Sequence, residues 1–233
     1  MRTDYRRGAM DADALGDDPV AALATWIEAA AEAGAEEPNA MALATVSAEG
    51  VPSVRFVLCK GVTPGGVEDD RTDDGGDDGG DGRAARGTVQ GTLRFFTNYE
   101  SRKAADVDAT GMAAATFWWD RLERQVRLEG AVARLDAAAS DAYFASRPRG
   151  SRVGAWASPQ GREVADREEL ERLAAEAEAR FEGTDEVPRP PFWGGYVLTP
   201  TYVEFWQGRS SRLHDRIAYA WEGGGWRTSR LAP

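Results

Sequence analysis

Segments that alternate apolar and polar residues recur along this chain, most of them joined by connections too short to hold a crossover helix. That spacing restricts the fold more than any other feature. Parallel strands need roughly a dozen connecting residues, whereas antiparallel ones need as few as about two. The strand-like runs are Asn39 to Val46, Ser53 to Lys60, Thr92 to Thr97, Met112 to Trp119, Gln125 to Leu135, Tyr196 to Thr199, Val203 to Trp206, Ile217 to Trp221 and Gly225 to Arg230. Ala48-Glu49-Gly50 turns the first run into the second, and Gly223-Gly224 joins the last two. The expected fold is mainly β with peripheral helices, an antiparallel barrel.

Helical spacing marks the remainder. Asp18-Pro19 opens a helix of about 15 residues with Val20, Leu23, Trp26 and Ile27 on one face. Ser101 suits the N-cap of a short helix through Lys103 to about Ala109, and Ala137 to Ser146 and Asp166 to Phe181 are two more. Residues 1–18 are polar and charged, expected to form an N-terminal arm and possible lid. Residues 19–233 suit a single domain, interrupted by an insertion at about 63–91. There, Val67 to Gly91 carries eight acids and three arginines, a net of −5, with almost nothing apolar. Such a segment buries too little to offset its ordering entropy, so a disordered, solvated loop between paired strands is expected.

Acids outnumber bases 39 to 28, a formal net charge of −11, which argues against binding nucleic acid along its phosphate backbone. The one cysteine, Cys59, excludes an intrachain disulfide and suits a reducing cytoplasm. No N-terminal run resembles a signal peptide, and no apolar stretch nears the roughly 20 residues that span a bilayer. A cytoplasmic location without a membrane partner is expected. One histidine and one cysteine leave no zinc-type ligand spacing, so no metal is expected.

Five short motifs carry candidate chemistry. In Arg212-Leu213-His214-Asp215-Arg216, an extended backbone would point Arg212, His214 and Arg216 one way. Those nitrogens suit an anion with an aromatic ring; a solvated, charge-alternating strand end explains them as well. In Arg55-Phe56-Val57-Leu58-Cys59-Lys60, Lys60 either answers an anion on the apolar face it shares with Phe56 and Leu58, or ends the strand in solvent. After Phe96-Thr97, Arg102 and Lys103 fall in the first turn of a helix, where cations oppose the dipole unless a phosphate is bound. An exposed surface pair is the other reading. Gln125, after Trp118-Trp119, offers an amide to the edge of a heterocycle. Tyr143 and Arg147, four residues apart on a helix, followed in the loop by Ser151, make a phosphate clamp or a simple packing pair. Together the motifs suit two phosphorylated aromatic ligands.

These motifs, in this order, resemble the pyridoxamine 5′-phosphate oxidase family. The resemblance runs from Tyr5 to Arg230-Leu231-Ala232-Pro233, interrupted only by the acidic insertion. It is carried by Arg55 to Lys60, Ser101-Arg102-Lys103, Leu122-Glu123-Arg124-Gln125-Val126, Ser146-Arg147-Pro148-Arg149, Gly154-Ala155-Trp156, Phe192-Trp193-Gly194-Gly195, and Glu204 to Gly208 with Arg212 to Arg216. It implies a homodimeric split β-barrel with FMN at the subunit interface. It also implies oxidation of the C4′ amine or alcohol of pyridoxamine or pyridoxine 5′-phosphate to pyridoxal 5′-phosphate, with dioxygen as acceptor and hydrogen peroxide released.

By the same resemblance, Arg55, Phe56, Val57, Leu58, Cys59, Lys60, Phe96, Thr97, Arg102, Lys103, Gln125, Gln160, Gly161, Trp206 and Arg216 would hold FMN. Lys60, Tyr143, Arg147 and Ser151 would hold the substrate phosphate. Arg212 and His214 would face the pyridine as the catalytic pair, and Arg2 with Tyr5 would close over it. Gly161 stands where the family often has serine, and Ser47 where it has an acid near the substrate. Two other classes stay open: another flavin-dependent reductase on this barrel, and a non-catalytic FMN or pyridoxal phosphate carrier.

Overall fold

The computed structural model describes residues 8–66 and 90–233. Among the described residues, nine strands form one antiparallel sheet: β1 (Ala40–Val46), β2 (Pro52–Leu58), β3 (Gly61–Thr63), β4 (Thr92–Asn98), β5 (Met112–Trp119), β6 (Arg124–Arg134), β7 (Trp193–Gln207), β8 (Asp215–Glu222) and β9 (Gly225–Arg230). Their order is β2-β1-β5-β6-β7-β4-β3, with β8 also paired to β7 and β9 to β8. Contacts between β2 and β4 curl the sheet toward closure. The helices are α1 (Ala12–Leu15), α2 (Pro19–Glu32), α3 (Arg102–Thr110), α4 (Ala137–Ser146), α5 (Arg149–Ala157) and α6 (Arg167–Arg180). None among the described residues is long and apolar enough to cross a membrane.

Alternation builds the core. In β1, Met41 and Leu43 are buried while their neighbours are not, and β4 buries Leu93 and Phe95 in the same way. Trp26 of α2 closes the barrel, with Phe205 edge-on at 4.9 Å and the Arg124 guanidinium 4.4 Å from its ring centre. Asp18 starts α2 by accepting from the Val20 amide at 2.9 Å, with Pro19 in the first turn where its missing N–H costs nothing. A second cluster joins Phe144, Val153, Ala177, Phe181, Val187 and Trp193 under α4, α5 and α6.

Several expectations change. The two runs expected at 196–199 and 203–206 are one strand, β7, which continues through Pro200 because the ladder shifts register at Glu129/Gly130. Helix α5 and strand β3 were not expected. Residues 8–18, expected as an arm outside the core, place Met10 and Leu15 in the main cluster. Most of the acidic insertion lies outside the described residues.

Gly130 sits at the shift with β7 backbone against it: a Cβ would meet the Thr199 carbonyl oxygen and come within 2.6 Å of Pro200 Cα. Gly130→Ala is expected to lose about 3 kcal/mol of stability, since backbone cannot yield as a side chain does. An unchanged midpoint in urea unfolding would contradict this.

Candidate active site

The N-terminus of α3 gathers positive charge. Ser101 takes the cap position, but its hydroxyl donates to the Asn98 carbonyl at 2.7 Å rather than accepting from the helix. Lys103 Nζ donates to Thr97 Oγ1 at 3.1 Å, Ser101 Oγ at 3.1 Å and Gln160 Oε1 at 3.0 Å, all neutral oxygens. Burial and the nearby Arg55 charge push the Lys103 pKa down to about 8. Arg55 reaches this region from β2, donating to Thr45 Oγ1 at 2.7 Å, while buried Asp106 accepts from Thr45 at 2.6 Å and lies 4.0 Å from Arg55. Burial lowers the Arg55 pKa against the pull of Asp106, and the charge on Arg102 lowers it further. Gly161, at φ +86°, lays bare backbone on this end: a Cβ there would stand 4.0 Å from the Arg102 amide nitrogen. Three cations, one nearby carboxylate and a helix N-terminus form a site suited to a phosphate dianion.

A second cluster adjoins it. Phe96 stacks on Tyr143 at 3.8 Å and lies parallel to Trp193 at 5.6 Å. Gly195 permits this, because a Cβ there would come within 2.7 Å of the Phe96 ring. The Arg147 guanidinium lies 4.6 Å from the Trp193 ring centre. Its NH1 is buried without a hydrogen-bond partner, a costly state for a charged donor. Burial raises the Tyr143 pKa and lowers that of Arg147, each offset by the other's charge. Arg147 follows the end of α4 in extended backbone instead of sharing its face with Tyr143, and Ser151 lies in the first turn of α5 rather than in a loop.

The third group is a row across the sheet. Gln125 stands opposite both Trp118 and Trp206, and Trp206 opposite Arg216. Directly opposed residues share a face, so the four are aligned. The Trp118 and Trp206 rings are 5.9 Å apart, and His214 lies 4.6 Å from Trp206. The Arg209 amide donates to His214 Nδ1 at 3.1 Å, which assigns the ring hydrogen to Nε2. Burial and the Arg212 charge lower the His214 pKa, which favours the neutral ring.

The alternation expected for Arg212, His214 and Arg216 does not occur. Ser210–Arg212 is a 3₁₀ turn with φ of +57° at Ser211 and +63° at Arg212, and only Arg216 lies in β8. Of the Arg55–Lys60 motif, Phe56 is 78% exposed and Val57 and Leu58 are half-buried. The buried Cys59 thiol donates to the Gly61 carbonyl at 3.4 Å, and burial pushes its pKa up. Lys60 lies just beyond the end of β2 and is exposed. Arg2 and Tyr5 lie outside the described residues.

The expected residues therefore fall into separate regions. Thr97 pairs with Gly194 and Gln125 with Trp206, twelve residues apart along β7. At about 3.3 Å per residue the gap approaches 40 Å along the strand. Sequence reasoning missed Asp106, Glu204 and Arg209, which hold Arg55, Arg216 and His214. The only signal was for Glu204: two residues before Trp206, it had to share its face.

Comparison with known proteins follows the same lines. A family model described as pyridoxamine 5′-phosphate oxidase matches residues 27–181, and one described as the pyridoxine 5′-phosphate oxidase C-terminal dimerisation region matches 193–233. The pyridoxine/pyridoxamine 5′-phosphate oxidase of Rubrobacter xylanophilus is 48% identical, over 100% of this chain and 95% of its own. That of Salinibacter ruber is 45% identical, over 100% and 97%. The crystal structure of PhzG from Burkholderia lata 383, bound to tetrahydrophenazine-1-carboxylic acid, matches with TM-score 0.81 and 29% identity over 99% of this chain and 100% of its own. An FMN-binding protein of Nostoc punctiforme shares the fold, with TM-score 0.62 at 16% identity over 92% and 96%.

Proposed function

The chain belongs to the pyridoxamine 5′-phosphate oxidase family, and from that premise we propose that it oxidises pyridoxamine and pyridoxine 5′-phosphate to pyridoxal 5′-phosphate, with FMN as cofactor and dioxygen as acceptor. The observation that carries this reading is Arg147: a buried guanidinium NH1 without a partner, close enough to Tyr143 for each to shift the other's pKa. A protein that only bound FMN would need the phosphate site at α3 and no second one.

The donor set at α3 fits the FMN phosphate. Arg55, Arg102 and Lys103 supply charge, and Thr97 and Gln160 supply neutral groups close by. FMN held there would supply the two-electron redox chemistry, with dioxygen as the final acceptor and hydrogen peroxide as the reduced product. Tyr143 and Arg147, with Ser151 and Lys60, hold the substrate phosphate. Neutral His214, donating from Nε2, orients the C4′ substituent together with Arg212, and proximity supplies much of the rate. Burial and, after it, the Arg212 charge lower the His214 pKa, which favours the neutral, orienting form of the ring.

The protein is a homodimer. We place FMN between its subunits, the α3 cluster coming from one and Gln125, Trp206 and Arg216 from the other. The distance along β7 supports this, since one chain holds the two halves apart. The single buried cysteine suits a cytoplasmic location.

An anaerobic mixture of the FMN-loaded protein with pyridoxamine 5′-phosphate tests the activity. Bleaching of the flavin absorbance, then peroxide when air is admitted, is expected. An unchanged spectrum would leave a carrier, or a reductase of another molecule.

A further inference from the structure

Glu204 is almost wholly buried, at 2% exposure, and four hydrogen bonds converge on its carboxylate. Arg216 donates from Nε at 2.8 Å and from NH2 at 3.1 Å, one to each oxygen. Arg127 Nε and the Tyr202 hydroxyl, both at 3.1 Å, share the second oxygen. Burial alone would raise the Glu204 pKa; these donors hold it below the usual carboxylate range. A buried carboxylate is costly unless it is paired in this way.

Register gives the group a direction. Glu204 stands opposite Arg127, one step along the sheet from the row of Gln125, Trp206 and Arg216. Bidentate contact through Nε and NH2 fixes the plane of a guanidinium as a single contact cannot. Arg216 NH1 donates to the Ala232 carbonyl at 2.8 Å, which fixes the far side. Arg127 meanwhile pairs with the same carboxylate from β6, so the buried Glu204 charge is balanced from two sides.

We propose that Glu204 is a positioning residue for FMN binding: it sets the guanidinium of Arg216 in the plane that meets the cofactor, while Arg127 and Tyr202 hold Glu204 in place. This rests on Arg216 being a cofactor ligand, as read above. Loss of the bidentate contact would let Arg216 rotate before FMN binds, so the cost falls on affinity.

The test is a double-mutant cycle read as FMN binding to apoprotein, by quenching of flavin fluorescence, with Tm recorded for each variant. Glu204→Gln is expected to weaken FMN binding about tenfold. In an Arg216→Met background the same change is expected to alter affinity less than about twofold, because its target is gone. Arg127→Met is expected to lower Tm with a smaller effect on affinity. Equal losses from Glu204→Gln in both backgrounds would mean a general structural role and overturn the proposal. If Arg216→Met weakens FMN binding and Glu204→Gln does not, the proposal alone fails. If Arg216→Met leaves FMN binding unchanged, the cofactor reading fails and the proposal with it. Should Glu204→Gln not fold, Glu204→Asp, which keeps the charge and withdraws it from Arg216, carries the same cycle.

Discussion

Replacing Arg102 by alanine and Lys103 by methionine together is expected to weaken FMN binding by about 10²- to 10⁴-fold. Each removes a charge-assisted contact to phosphate, on the order of 1.5–3 kcal/mol apiece. The effect should also carry a pH signature. With its pKa near 8, Lys103 is charged below that value and increasingly neutral above it. A phosphate dianion favours the charged lysine and draws its pKa back up, so binding takes up a proton in alkaline solution. Affinity should therefore fall as pH rises from about 8 toward the ordinary lysine value of 10.5, by at most about tenfold per pH unit. Lys103→Met alone should abolish that slope while Arg102→Ala keeps it. Fluorescence titration of apoprotein from about one pH unit below the Lys103 pKa to about two above it reads both. A slope that survives Lys103→Met would assign the proton elsewhere.

Two inactive variants are expected to restore activity when combined in one dimer. The first carries the Arg102 and Lys103 substitutions; the second carries Arg212→Ala with His214→Ala. If each site draws its cation cluster from one subunit and its His214 row from the other, the mixed dimer has one site with both defects and one with neither. Random mixing should then recover about a quarter of the native sites. Co-expression with two affinity tags isolates the mixed dimer, and peroxide release measures it. No recovery in a purified mixed dimer that still folds and binds FMN would mean that each chain builds its site alone.

Much of the fold was legible because it rests on local rules. Asp18-Pro19 starts a helix by satisfying an amide and tolerating a missing one, and the alternation in β1 and β4 states which side is buried. Where tertiary packing overrode the local signal, the sequence misled. The segment after Pro148 was expected as a loop, yet α5 starts at Arg149 and packs Val153 in one cluster with Ala177 of α6. Thr199-Pro200-Thr201 reads as an end, yet β7 continues because the bulge at Gly130 absorbs the proline. Positive φ at Ser211 and Arg212 has no glycine to announce it.

The candidate site divides in the same way. Residue types and their order determined the chemistry: cations at a helix start, Tyr143 near Arg147, and an amide and a histidine among tryptophans, enough to resemble one family. Only the tertiary structure decided how these groups are held. His214 takes its tautomer from the Arg209 amide, Arg216 its plane from Glu204, and Arg55 its place from Thr45 and Asp106. It also decided that the two halves lie at opposite ends of β7. The reason is physical: alternation and capping act over a few residues and are written where they act. Strand register and the pairing of buried charges join residues far apart in the chain, and exist only once the sheet has formed.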